Sequence, residues 1–226
     1  MLTTQRKQLL LARLQQDGQI VAKAFSEELD ISEDTVRRDL RELAAEGRLQ
    51  RVHGGALPAS AAVGNLQARE QLAPEDKRAL GRAGAALVLP GQVVILDGGT
   101  TSLQVVQHLP LDLRATVVTH SPTVAVALAG HAQVEVLMLG ASVVEAAAQL
   151  RVDLYLMGVT GVHAETGLTT GDFEEVAVKR ALHQRAAETV VLASLDKLGT
   201  ASPFSVAPLR ELAALVVPAA TPRSLR

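Results

Sequence analysis

The chain has 226 residues, of which 48% are hydrophobic and 20% charged, with a formal net charge of −2 and no cysteine. That length and composition suit one large or two smaller globular domains and exclude disulfides, thiol catalysis and sulfur-ligated metal centres. Histidines that never fall in a His-x-x-x-His pair, very few aromatic residues and the lack of a long apolar run argue further against metal catalysis, single-stranded nucleic-acid stacking and membrane insertion. At the N-terminus, Gln8 and Arg13 interrupt any apolar signal core behind Arg6 and Lys7, so a cytoplasmic protein without metal or cofactor is expected. Leu10, Leu11 and Leu14 share one face of a predicted helix opened by Thr4 and closed by Asp17-Gly18. A second helical segment is predicted over 21–29, where Val21, Ala24, Phe25 and Leu29 keep helical spacing. Asp30-Ile31-Ser32 breaks the pattern, Ser32 caps a third helix with Glu33 and Asp34 in its first turn, and Gly47 ends it. Residues 49–53 are a strand candidate running into a Gly54-Gly55 turn.

The third helix carries the N-terminal chemistry. Residues 1–56 hold nine Lys+Arg and nine Asp+Glu, yet between Arg37 and Arg51 five arginines face three acids. On a helical wheel Val36, Leu40, Leu43 and Ala44 form one apolar stripe, while Arg37, Arg38 and Arg41 fall opposite with Thr35 beside them. Such a helix suits the DNA major groove, where arginine pairs with guanine or clamps phosphate, with Arg51 and His53 on the following hairpin reaching an adjacent groove or the backbone. A solvated amphipathic helix would carry the same arginines, and the wheel alone does not separate the two. Asp39 has no basic residue at i±3 or i±4, so it is expected to brace a neighbouring element.

The run Ile31-Ser32-Glu33-Asp34-Thr35-Val36-Arg37-Arg38-Asp39-Leu40, followed by Gly47, Leu49, Arg51 and His53-Gly54-Gly55-Ala56, closely resembles the DNA-binding segment of the DeoR family of bacterial transcriptional regulators. The resemblance implies a winged helix-turn-helix over 1–57 with Ser32, Thr35, Arg37, Arg38, Arg41, Arg51, His53 and Gly54 at the DNA, and a sugar-phosphate-sensing domain behind it.

Residues 58–73, rich in Ala with Pro, Ser, Gly and Asn, read as a linker with one loose helical turn. From 74 to 226 strand-like runs (93–97, 116–120, 134–140, 154–160, 189–194, 215–217) alternate with helical ones (74–89, 101–109, 121–129, 143–151, 173–188). That alternation predicts an α/β domain with a mostly parallel sheet covered on both faces, binding ligands beyond the carboxyl ends of its strands. Asp97-Gly98-Gly99-Thr100-Thr101-Ser102 is a strand end, a glycine pair and hydroxyls opening a helix, which suits a phosphate cradle; a tight capped turn would look similar.

This loop resembles the D-x-G-T-T loop of the DeoR sensor, whose fold is shared with ribose-phosphate isomerases and CoA transferases. Thr119-His120-Ser121, the glycine-punctuated stretch 158–171, Glu175 with Lys179, and the loop Ser194-Leu195-Asp196-Lys197 match further motifs of that sensor. The resemblance thus implies Asp97, Gly98, Gly99, Thr100, Thr101, Thr119, His120, Ser121, Glu175, Lys179 and Lys197 as effector-binding residues, although Glu175 and Lys179 also fit an i,i+4 surface pair. The chain departs from the family where His120 replaces Asn, where Ser194 stands at the aspartate of D-x-x-K, and after Gly140, where a second glycine, a longer connection and a helix are missing. The expected function is a repressor of a sugar or carbon catabolic operon, a homodimer or homotetramer on double-stranded operator DNA, released by a phosphorylated sugar or related metabolite. Two other readings stand beside it. One is a sugar-phosphate isomerase-like enzyme using Asp97, Glu175 and Lys197 for acid–base chemistry, and the other a DNA-binding oligomer with a degenerate sensor.

Overall fold

The computed structural model describes residues 2–63 and 66–222. Its first part is α1 (Thr3–Asp17), β1 (Ile20–Val21), α2 (Ala22–Glu28), α3 (Glu33–Ala45), β2 (Gln50–Val52) and β3 (Gly55–Leu57). The apolar faces of the three helices meet in one core of Leu10, Leu14, Phe25, Val36, Leu40 and Leu43, closed by Ile20 and Leu49 from the strands. Gly18, at φ 74°, ends α1 in the left-handed conformation that glycine adopts without penalty. The strands form an antiparallel sheet in the order β1-β3-β2. A side chain on Gly55 would stand 1.7 Å from the Ile20 carbonyl oxygen, so only glycine lets β3 lie between its two partners. The fold is a winged helix-turn-helix, with β2 and β3 as the wing.

Two expectations change here. Val21 belongs to a strand rather than to the second helix, and Gly55 opens β3 rather than sharing a turn with Gly54. In both places a pairing partner distant in sequence takes backbone groups that local pattern assigns elsewhere.

Residues 58–73 hold more structure than a loose linker, with a 3-10 turn at Ala61–Val63 and α4 at Leu66–Glu70. The start of this segment is tied down by backbone hydrogen bonds, Ser60 N–H to Ala201 O at 3.3 Å and Ala201 N–H to Pro58 O at 3.1 Å.

The remainder runs α5 (Pro74–Ala86), β4 (Val93–Leu96), α6 (Thr100–His108), β5 (Ala115–Thr119), α7 (Pro122–Ala127), β6 (Val134–Met138), α8 (Val143–Ala147), β7 (Val152–Met157), β8 (Gly161–His163), β9 (Gly167–Thr170), α9 (Phe173–His183), β10 (Ala186–Leu192), β11 (Phe204–Ala207) and β12 (Ala214–Val216). Six strands make a wholly parallel sheet in the order β12-β10-β7-β4-β5-β6. The two-residue alternation of side chains divides its core between two faces. Val94, Leu96, Val117 and Leu156 pack with Leu80 and Val105 from α5 and α6, whereas Ile95, Val118, Tyr155 and Val191 pack on the α9 side with Leu182.

The sequence pattern does not reveal the second sheet, an antiparallel layer ordered β11-β9-β8. Its short strands lie in a glycine-punctuated stretch with no apolar period. The helix predicted over 173–188 stops at His183 because Ala186 and Glu188 pair with Val152 and Leu154 of β7. Likewise α8 covers only 143–147 of its predicted span.

Candidate DNA-binding face and effector pocket

Helix α3 is fixed from both sides. At its start the Ser32 hydroxyl accepts from the Thr35 N–H at 3.2 Å and shares a hydrogen bond with the Thr35 hydroxyl at 2.8 Å. Behind it Asp39, 1% exposed, pairs with the Arg6 guanidinium of α1. The carboxylate raises the pKa of Arg6 through their hydrogen bond, against the opposing effect of burial. Asp39 thus braces α1 against α3.

The outward face carries Arg37, Arg38 and Arg41, all exposed. Arg37 donates to Glu33 one turn earlier at 2.7 Å, whereas Arg38 and Arg41 make no ion pair among the described residues. Arg51, His53 and Gly54 of the wing share one concavity with Arg37. Gly54 turns the hairpin at φ 80°. Helix and wing therefore meet at Arg37, with Arg38 and Arg41 exposed on the same helix.

The second site lies at the carboxyl ends of the central strands. Asp97 follows β4 and is almost wholly buried. Its Oδ2 accepts from Lys179 Nζ at 2.6 Å, Gly158 N–H at 2.8 Å and Tyr155 OH at 3.2 Å, and its Oδ1 accepts from Gly98 N–H at 2.8 Å. Burial works to raise the Asp97 pKa, but the charges of Lys179 and His120 and the donated hydrogen bonds outweigh it and hold the carboxyl below its usual value. For Lys179 burial works downward, and Asp97 and Glu175 outweigh it and hold the amine above its usual value. Burial and the Asp97 charge push the Tyr155 phenol far up. The result is a buried ion pair that shapes the Gly98 turn and sets Lys179 in place.

That turn opens α6. Gly99 has φ 114°, out of reach of ordinary side chains. Thr100 and Thr101 follow in the first helical turn, and the Thr101 hydroxyl is buried with no hydrogen-bond partner.

The cleft in front of the turn is lined by Gly98, Gly99, Thr100, Thr101, Glu175, Lys179 and Lys197 from the predicted set. Arg69, Lys77, Thr160 and Asp196 join them. Lys197 is 8% exposed, and its side-chain amine makes no hydrogen bond or ion pair among the described residues. Burial lowers its pKa to about 8, helped by the charges of Lys77, Arg69 and Lys179 and opposed by Asp196. Burial also lowers the pKa of Lys77, whose amine donates to the Arg69 carbonyl. Both Asp196 carboxylate oxygens are buried without a donor, while Glu175 accepts from the Thr170 hydroxyl at 2.7 Å.

Thr119, His120 and Ser121 lie beside this wall rather than in it. The Thr119 hydroxyl accepts from the Ser121 N–H at 3.1 Å, the Ser121 hydroxyl caps α7, and His120 stands 3.5 Å from Asp97 with a buried, unpartnered Nδ1. Sequence reasoning missed Arg69 and Lys77, because an Ala-rich segment and the exposed-looking run Glu75-Asp76-Lys77-Arg78 give no periodic signal. Only the tertiary structure shows Lys77 to be 4% exposed.

Comparison with known proteins gives a consistent picture. Residues 6–61 match the DeoR-like helix-turn-helix domain and residues 72–218 the DeoR C terminal sensor domain. The HTH-type transcriptional regulator GlpR of Haloferax volcanii is 32% identical over 227 residues, with 94% of this chain and 88% of the relative covered. The HTH-type transcriptional repressor GlcR of Bacillus subtilis is 32% identical over 221 residues, with 92% and 85% covered. Among solved structures, ribose 5-phosphate isomerase a from Methanocaldococcus jannaschii aligns with a TM-score of 0.44 at 20% identity, over 54% of this chain and 52% of that one. The arginine-bearing helix and wing, the parallel sheet behind them and both domain matches place this chain in the DeoR family, whose members are DNA-binding transcriptional regulators rather than enzymes.

Proposed function

We propose that the protein represses a sugar or carbon catabolic operon and is released from its operator by a phosphorylated sugar or related metabolite. The observation that carries this reading is a pair of groups lining the cleft at the Gly99 turn: the Lys197 amine, without an ion pair among the described residues, and the buried Thr101 hydroxyl at the start of α6, without a hydrogen-bond partner among them. Amide groups at a helix N-terminus, a hydroxyl and buried cations together select a phosphate. The donor-less carboxylate of Asp196 beside them suits the hydroxyls of a sugar. In this reading Gly98, Gly99, Thr100, Thr101, Glu175, Lys179 and Lys197 touch the effector, and Asp97, Thr119, His120 and Ser121 hold the wall.

At the other end Arg38, Arg41 and Arg51 meet bases and phosphates, Arg37 joins them on leaving Glu33, His53 and Gly54 follow the backbone, and Ser32 and Thr35 set the entry of α3. The domains divide at 1–57 and 74–226 with 58–73 between them. A homodimer or homotetramer presents two recognition helices to half-sites one helical turn apart. The edge strand β6 supports self-association, since Val136, Leu137 and Met138 are 37%, 44% and 49% exposed with no strand beyond them among the described residues.

Fluorescence anisotropy with DNA from upstream of the protein's own gene, titrated with a panel of sugar phosphates, tests the reading. Tight, salt-sensitive binding released by one compound is the expected result. Tight binding that no compound relieves favours a degenerate sensor, and affinity no better than for random DNA overturns the assignment to that operator.

A further inference from the structure

Helix α4 lies between the wing and α5, yet its Arg69 side chain stands in the wall of the pocket. The guanidinium Nη1 is 4.0 Å from the point a β-carbon on Gly99 would occupy, so the side chain faces the bare backbone of the turn. Its Nε is buried and has no acceptor among the described residues. No carboxylate pairs with it among the described residues, and it helps to lower the pKa values of Lys77 and Lys197. Arg69 therefore shares this wall with Lys77, Lys179 and Lys197 as well as with Glu175 and Asp196, and its buried Nε is a donor that an anion's oxygen can satisfy.

The backbone around Arg69 is held differently from the residues before it. Pro58 and Ser60 bond to Ala201 through the backbone, and the Ser60 hydroxyl donates to the carbonyl of Thr160 in the pocket wall. The following stretch relies on the Lys77 amine at the Arg69 carbonyl and on the Leu72 N–H at 3.2 Å from the same oxygen. Next comes Ala73, with φ 44° and ψ 53°, a left-handed conformation unfavourable for alanine, at the joint between α4 and α5. Such a residue persists only where its surroundings over-determine it.

We propose that Arg69 is the residue through which an anionic effector takes hold of the segment joining the two domains: the anion on the Gly99 turn accepts from the Arg69 guanidinium and fastens α4 to the pocket. This rests on the effector-pocket reading above, which itself needs only Lys197 and the turn. Bound anion and docked α4 then stabilise each other, because each favours the same state.

Hydrogen exchange on the full chain, with inorganic phosphate as the probe and chloride as the control, tests the proposal. In the wild type, phosphate slows exchange both at 98–102 and at 66–72. Arg69→Ala binds phosphate about tenfold more weakly, as expected for one lost charge-assisted bond. At phosphate concentrations that restore occupancy, this variant still slows at 98–102 but no longer at 66–72. Arg69→Lys, which keeps the charge without the Nε donor, falls between the two. Equal slowing at 66–72 in wild type and Arg69→Ala at matched occupancy overturns the proposal and leaves the pocket reading standing. Lack of slowing at 98–102 in the wild type overturns the pocket reading and the proposal with it. If Arg69→Ala exchanges fast throughout β4 and β7 without phosphate, it has lost its fold, and Arg69→Lys decides: protection of 66–72 equal to wild type overturns the proposal, and reduced protection sustains it.

Discussion

Lys197 enters the pocket with its amine nearly out of water, and that burial, against the pull of Asp196, brings its pKa from 10.5 to about 8. The unfolded chain therefore binds the extra proton between those two values. Stability contributed by this group is lowest below pH 8 and rises as the pH climbs towards 10.5, by up to about 3 kcal/mol. An anion reverses the preference, so phosphate affinity is expected to fall above pH 8, by at most about tenfold per pH unit. Calorimetric titration with inorganic phosphate at pH 7, 8 and 9 checks this, with Lys197→Met as the control that loses both affinity and slope; an unchanged wild-type affinity across the range contradicts it. Buried pairs give a second prediction. Asp97→Asn leaves the Lys179 ammonium, 3% exposed, facing a neutral amide, and urea denaturation should show a loss of about 3–5 kcal/mol. Arg6→Met strands Asp39 in the same way and should destabilise the N-terminal core by about as much. The sequence marked Asp97 and Lys179 as motif members. It could not show that they meet each other, since they stand 82 positions apart.

At the scale of elements, α3 and β2 were legible because each follows local rules. The cap at Ser32, the acidic first turn and the apolar stripe all point to one helix, and the helix forms where they place it. Removing the cap with Ser32→Ala should lower stability by about 1 kcal/mol in thermal unfolding. Among the arginines the ion-pair pattern ranks the effects. Arg38→Ala should weaken operator binding more than binding to random DNA, whereas Arg37→Ala should cost less because Arg37 must first leave Glu33. Anisotropy titrations on both DNAs at several salt concentrations separate these outcomes, and equal losses for Arg38→Ala on both would make it a phosphate clamp. Elements formed by distant pairing were less legible. β1, β3 and the layer β11-β9-β8 are two to four residues long, too short to show a period, and exist because a partner strand satisfies their backbone. The end of α9 teaches the same lesson, for Ala186 and Glu188 are good helix formers held in β10 by β7.

Across the whole molecule, function needs the two ends to communicate. Sedimentation should find a dimer or tetramer, and an operator cut to one half-site should bind much more weakly than the full site; equal binding to both would remove the need for self-association. In the proposal above the coupling runs through the segment that the composition presents as a linker, whose start, Pro58 and Ser60, bonds to Ala201 and whose Arg69 lines the pocket. From its sequence alone this protein was read as a set of capped N-terminal helices with a strand, followed by a parallel α/β layer with a glycine turn at a strand end; the winged helix-turn-helix was implied by the family resemblance. Those features depend on capping, on the periods 3.6 and 2, and on short motifs, all of them properties of neighbours along the chain. Tertiary structure alone decided which charges are buried and paired, which donors are left without acceptors, and that a lysine in an exposed-looking run belongs to the pocket. Burial and pairing are set by residues far apart in sequence, and the cost of an unmet polar group depends on the water that the fold removes from it.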